Sequence, residues 1–127
     1  MEVNKFYFTI SLSFNKDCNL DNLEKQFGIK AYKKINLNES KAPVKQAKLI
    51  FKTDEFEEIY TDEIFEKFVL NCKDNFKGLK EILNENDGVC YFNIVFTSLK
   101  DKPCLSMNNV VLTTLSELGA SFDVDFI

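Results

Sequence analysis

Leu105-Ser-Met-Asn-Asn-Val-Val-Leu-Thr-Thr-Leu-Ser-Glu-Leu-Gly-Ala-Ser-Phe-Asp-Val-Asp-Phe-Ile127 reads as a capped amphipathic helix followed at once by an alternating strand. Ser106 offers a hydroxyl cap. Val111, Leu112, Leu115 and Leu118 then recur at helical spacing, and this is the face expected to be buried. Gly119 supplies the left-handed residue that ends a helix. Phe122, Val124 and Phe126 alternate with Asp123 and Asp125, so the rings take the core side. Both carboxylates leave the other sheet face, roughly 7 Å apart along the strand. Every local signal agrees on an α-to-β unit.

The same strand alternation returns upstream. In residues 89–98, Cys90, Phe92, Ile94 and Phe96 point inward, with Tyr91, Asn93, Val95 and Thr97 outward. Residues 3–14 repeat it, with Phe6, Phe8, Ile10, Leu12 and Phe14 opposite Tyr7, Thr9, Ser11 and Ser13. Between these strands the period changes to helical. Asn19 caps a short helix carrying Leu20, Leu23 and Phe27, which Gly28 ends. Thr61 precedes a stripe of Ile64, Phe65, Phe68, Val69 and Cys72. A second helix buries Phe76, Leu79, Ile82 and Leu83 and stops at Asn86-Asp87-Gly88. Lys30 to Leu37 and Val44 to Lys52 read as two lysine-interrupted strands around a turn at 38–43, and Lys100 to Pro103 as a loop.

The order is therefore β-α-β-β-α-α-β-α-β in a single domain, residues 1–127. Half-apolar strands with helices on one face predict an α+β fold. It would be a two-layer sandwich whose mainly antiparallel sheet has about five strands. Its core would be ferredoxin-like, extended by the C-terminal helix and strand.

Composition excludes more than it proposes. All 16 basic residues are lysine and histidine is absent, in a chain of 127 residues with net charge −4. Without arginine there is no guanidinium fork for phosphate or guanine. Without histidine, Ser-His, Cys-His and His-metal chemistry are excluded within one chain. The acidic balance argues against nucleic acid and anionic membranes as partners. No apolar run approaches the roughly 20 residues that span a bilayer. The N-terminus lacks a basic-then-apolar signal pattern. Cys18, Cys72, Cys90 and Cys104 have no paired metal or redox spacing, so free packing thiols in a cytoplasmic protein are expected. Phe 13 against Tyr 4 and Trp 0 implies a core rich in phenyl rings.

Three stretches resemble a bacterial family of small proteins known only as a domain of unknown function. The first is a Phe-rich strand running into Asn19-Leu-Asp-Asn-Leu-Glu-Lys-Gln-Phe-Gly-Ile29. The second is the helical middle leading to the strand at Val89 to Phe96. The third is the ending, with Leu105-Ser106, Leu118-Gly119-Ala120 and the strand Phe122-Asp123-Val124-Asp125-Phe126. Residues 30–52 depart from the family pattern, and Phe126 stands where a tyrosine is more typical. The resemblance implies a fold and no catalytic residue. Proteins of this type look similar in size and charge to immunity proteins of bacterial toxin systems.

Four constellations carry the functional expectations. Asp123 and Asp125 form a carboxylate pair without a ligand loop, so neither a metal nor a cofactor is expected. Asp54, Glu55, Glu57, Glu58, Asp62, Glu63 and Glu66 are an acidic run suited to a solvated helix start or to steering a basic partner. Lys30, Lys33, Lys34, Lys41, Lys45, Lys48 and Lys52 protect strand edges from pairing or face phosphate. If the strands at 3–14 and 89–98 are neighbours, Tyr7, Thr9, Ser11, Tyr91, Asn93, Val95 and Thr97 share an uncharged face suited to protein contact, to covering by residues 38–60, or to plain solvation. The expected protein is a non-enzymatic binding module, an immunity-type inhibitor of a toxin, monomeric or weakly dimeric. Its partner would be held by Tyr7, Thr9, Tyr91, Asn93, Val95, Asp123 and Asp125. The alternative is a small-ligand binder or carboxylate-dependent enzyme with a cleft near the C-terminal strand.

Overall fold

Alternation through Asn4–Phe14 makes β1 the strand around which the sheet is built. Its inward residues Phe6, Phe8, Leu12 and Phe14 have no exposed surface and Ile10 has almost none. The computed structural model describes residues 3–58, 61–99 and 106–127. The loop expected at Lys100 to Pro103, with Cys104 and Leu105, lies outside the described residues.

After β1 come α1 (Leu20–Phe27), β2 (Lys33–Ile35), a 3-10 turn (Leu37–Glu39) and β3 (Ala47–Lys52). They are followed by β4 (Phe56–Glu58), α2 (Asp62–Asn75), α3 (Leu79–Glu85), β5 (Gly88–Ser98), α4 (Asn109–Leu118) and β6 (Ala120–Phe126). The sheet runs β2-β3-β1-β5-β6, with β4 paired to β1 off that path. Every pairing is antiparallel except β5 with β6, which the α4 crossover makes parallel. The path β2-β3-β1-β5 has the strand order of a ferredoxin-like unit, and α4 and β6 extend it as expected.

Several local expectations shift. The strand expected over Lys30 to Leu37 contracts to Lys33–Ile35. The Glu39 carboxylate accepts from the Asn36 amide (3.1 Å) and carboxamide (2.6 Å), turning the chain into the 3-10 segment. The next strand starts at Ala47 rather than Val44, whose side chain is exposed.

β4 is an added, sixth strand inside the acidic run. It forms because β3 covers only Thr9–Phe14 of β1, leaving Asn4–Phe6 to pair with Phe56–Glu58. Thr53 bridges the break: its amide donates to the Phe8 carbonyl, and its hydroxyl accepts from the Phe8 amide, both at 3.0 Å.

The cap of α4 is Asn108, not Ser106. The Asn108 side chain accepts from the Val111 amide at 3.0 Å, whereas the Ser106 hydroxyl lies 3.5 Å from Asp62. A helix starting there buries Val111, Thr114, Leu115 and Leu118, and Leu112 faces out. Thr114 tolerates burial because its hydroxyl donates to the Val110 carbonyl at 2.7 Å. Gly28 and Gly119 close α1 and α4 with φ of 70° and 69°, as the sequence implies. Phe126 is 61% exposed, since β6 is an edge strand, yet its ring stacks on Phe96 at 5.4 Å.

Packing on the helix side is rich in phenyl–phenyl contacts. Phe8 alone lies within 4.6–5.7 Å of the rings of Phe6, Phe56, Phe65 and Phe68. At the start of β5, Gly88 lies where a Cβ would fall 2.6 Å from the buried Phe14 ring, so this position tolerates no side chain.

Cys72 and Cys90 are buried free thiols, and Cys18 is half-buried. Burial pushes the Cys90 thiol up to about 12, and burial together with Cys90 raises Cys72 further. A thiolate is the reactive species. Cys72 and Cys90 are therefore expected to resist Ellman's reagent at pH 8 in the native protein and to react fully in denaturant. Native reaction at either would contradict the packed core.

Candidate functional site: the open sheet face

The face of the sheet away from the helices is assembled rung by rung by the strand register. Tyr7 pairs with Val95, and Val95 with Asp125. One rung along, Lys52 pairs with Thr9, Thr9 with Asn93, and Asn93 with Asp123. The next rung runs Lys33, Ile50, Ser11, Tyr91 and Ser121. All seven residues expected at the partner site thus leave the same face. The two carboxylates are brought beside the uncharged strip, which the sequence alone did not establish.

Local bonds hold parts of this face in place. The Asn93 carboxamide donates to the Thr9 hydroxyl at 3.1 Å, locking two neighbouring strands on their outer side. Thr97 donates to the Glu55 carboxylate at 2.8 Å. The Lys52 ammonium sits 4.4 Å from the Tyr7 ring centroid and 5.0 Å from that of Tyr32, a cation–π arrangement. Tyr91 is 38% exposed, while Val95 is only 7% exposed and acts as the floor of the strip rather than its contact surface. A shallow depression of about 360 Å³ opens between Ser11, Lys48, Ile50, Tyr91, Asn93 and Asp123.

Charge is sorted across the face. Lys33, Lys48 and Lys52 stand on the β2–β3 flank and Asp123 and Asp125 on the β6 flank, with Tyr, Thr, Ser, Asn and Val between. Lys48, Ile50 and Lys52 are site residues that the sequence reading assigned elsewhere. Their signal was the β3 alternation against Leu49 and Phe51. Edge protection is the expectation for these lysines, but β2 covers β3 at Lys48, so Lys48 protects no edge, whereas Lys52 lies beyond the end of β2. Nor do the lysines gather as one phosphate patch, because Lys34 points to the helix side. There it bonds Asp21 at 2.8 Å and Glu24 at 3.1 Å.

That small network gives a pH expectation. The hydrogen bond from Lys34 holds the Asp21 carboxyl below its usual range. For Glu24 the Ala31 amide is the first cause and Lys34 the second. Depressed carboxylates contribute stability that is present at neutral pH and lost as pH falls through and below 3.8 and 4.5, their ordinary values. Lys34→Met is expected to flatten acid unfolding slightly in that window and change the neutral melting point little, since Lys34 and Asp21 are exposed and the half-buried Glu24 keeps its bond from the Ala31 amide. An unchanged acid profile would contradict the network.

The acidic run is dispersed. Glu55 serves Thr97, Glu57 meets Lys5 at 3.5 Å, and Glu66 accepts from Asn108 at 3.0 Å. Asp62 and Glu63 occupy the favourable first turn of α2. Among the described residues no group of three or more side chains is arranged to hold a metal ion. No helix there is long and apolar enough to cross a membrane.

Comparison with curated proteins and with solved structures finds no match. A family profile matches residues 2–127, nearly the whole chain, including the helix–strand ending and the strands that build the open face. The chain therefore belongs to the DUF4279 family, a domain of unknown function.

Proposed function

We propose that this is a non-enzymatic protein-binding module that docks its partner on the open sheet face. The observation that carries the reading is the meeting of Tyr7, Thr9, Tyr91 and Asn93 in an uncharged strip with Asp123 and Asp125 on its flank. Interfaces favour this arrangement, a tyrosine-bearing centre with few charges and a charged rim. The finer reading is an immunity-type inhibitor that occludes a bacterial toxin. Its support is the net charge of −4, which speeds encounter with a basic partner, and the lack of histidine for the commonest acid–base chemistry.

The test is parallel affinity capture from native lysate with tagged wild type and Tyr91→Asp, in moderate salt. A stoichiometric partner held by the wild type and missing from the variant supports the face. A partner held equally by both would place the contact elsewhere. The small-ligand alternative has one specific support, the depression bordered by Tyr91, Asp123 and Asp125. Its shallowness suits a protein surface better than an enclosed substrate.

A further inference from the structure

On the opposite side of the sheet, the aromatic contacts fall into two groups that do not touch. Among the described residues one group runs from Phe8 through Phe6, Phe56, Phe65, Phe68, Phe92, Phe96, Phe122 and Phe126. The other is the triad Phe27, Phe51 and Phe76. Between them lies a cleft of about 240 Å³, walled by Phe8 and Phe68 from the first group and Phe51 and Phe76 from the second. The Phe8 and Phe68 rings are stacked at 4.6 Å and 15°, while Phe51 meets Phe76 edge-on at 5.2 Å and 70°. The break in the aromatic layer falls at this cleft.

The rest of the lining defines what would fit. Ile10 and the Cys72 thiol are buried and uncharged, and Ile29 closes one side. Lys52 borders the cleft, but its side chain leaves the other face of the sheet, where its ammonium is held over the Tyr7 and Tyr32 rings. The Thr53 hydroxyl already accepts from the Phe8 amide and donates to the Asp54 carbonyl. That leaves Asn71 and Asn75 as the polar groups at the mouth, one helical turn apart. Neither carboxamide bonds another described residue.

We propose that this cleft is a binding site for a neutral, flat, two-ring aromatic molecule with a polar edge. An apolar cavity of about 150 Å³ accepts benzene, so 240 Å³ leaves room for a fused second ring. Such a ring bridges the two phenyl groups at the roughly 4.5–7 Å centroid spacing that aromatic pairs favour. Its polar edge meets the Asn71 and Asn75 carboxamides, and among the described residues no ammonium faces the cleft, which selects against an anion. The site lies across the sheet from the protein-binding face and is independent of it.

Indole is the probe, and the chain contains no tryptophan to mask its emission. Titrated into the wild-type protein, indole is expected to show a saturable blue shift. Intermolecular proton NOEs should reach Phe51, Phe68 and Ile29. The double variant Asn71→Leu with Asn75→Leu, altering exposed positions only, should bind indole about three- to tenfold more weakly, the range of one or two modest hydrogen bonds. Indole-3-acetate should bind more weakly than indole. The site is overturned by the absence of saturation up to the solubility of indole, or by NOEs that map to other residues. Unchanged affinity in the double variant removes the polar edge from the assignment, and tighter binding of the acid removes the preference for a neutral ligand.

Discussion

Tyr91→Asp is expected to weaken partner binding about a hundredfold or more while leaving the melting curve close to wild type. Tyrosines at the centre of interfaces are frequent hot spots, with truncation costs of about 2 kcal/mol and upward. Here the substitution removes the ring and also adds a carboxylate beside a flank that already carries Asp123 and Asp125. Burying that charge without a partner adds to the loss. The fold is expected to tolerate the change because Tyr91 is 38% exposed and lies outside the core. Its strand neighbours are Ser11 and Ser121, and small hydroxyls leave nothing packed to collapse. Calorimetric titration against the captured partner, with a thermal melt of the free variant, checks both halves. Retained affinity in a folded variant would sink the proposed face.

Phe8→Ala is expected to destabilise the protein by about 3–5 kcal/mol, the usual cost of truncating a fully buried phenyl ring. Phe8 has no exposed surface, sits on the central strand and contacts four other rings, so truncating it removes all four ring contacts at once. Domains of this size have a total stability of about 5–15 kcal/mol, and the loss is a large fraction of it. A midpoint for urea unfolding lowered in proportion, with an unchanged slope, is the expected signature. A shift below about 1 kcal/mol would mean that the ring does not organise the core.

What could be read from the chain follows a physical division. β1, β5 and β6 were legible because each has one wet face and one dry face, which imposes a period of two on its own residues. α1 was legible because Asn19 and Gly28 carry its two ends locally. β4 was not, for Phe56–Glu58 has no period to show and exists only because β1 outruns β3. Ser106 and Asn108 are both good caps, and the choice between them depends on which register turns Thr114 inward.

The site divides in the same way. Tyr7, Thr9, Tyr91 and Asn93 were legible as outward residues of two neighbouring strands. That Lys48 and Lys52 join them could not be read, because being an edge or an interior strand is decided by a partner far along the chain. The cleft between the two phenyl groups was invisible for a related reason. Each ring is individually a core residue, and only their arrangement leaves the gap.

The order of synthesis gives the central position of β1 a further meaning. Thr9 bonds Asn93, 84 residues later in the chain. At translation rates of roughly 5–20 residues per second, the first strand waits roughly 4–17 s for that partner to be made. β3 and β4 can pair with one edge of β1 earlier, but throughout that interval the edge that β5 will cover stays open on a proline-free, β-prone segment with Phe6, Phe8 and Ile10 on one side, a composition that favours pairing between chains. In the nascent protein β1 is therefore a segment open to pairing between chains. Shielding of that segment by the ribosome or a chaperone is expected to raise the yield of folded protein without changing its equilibrium stability.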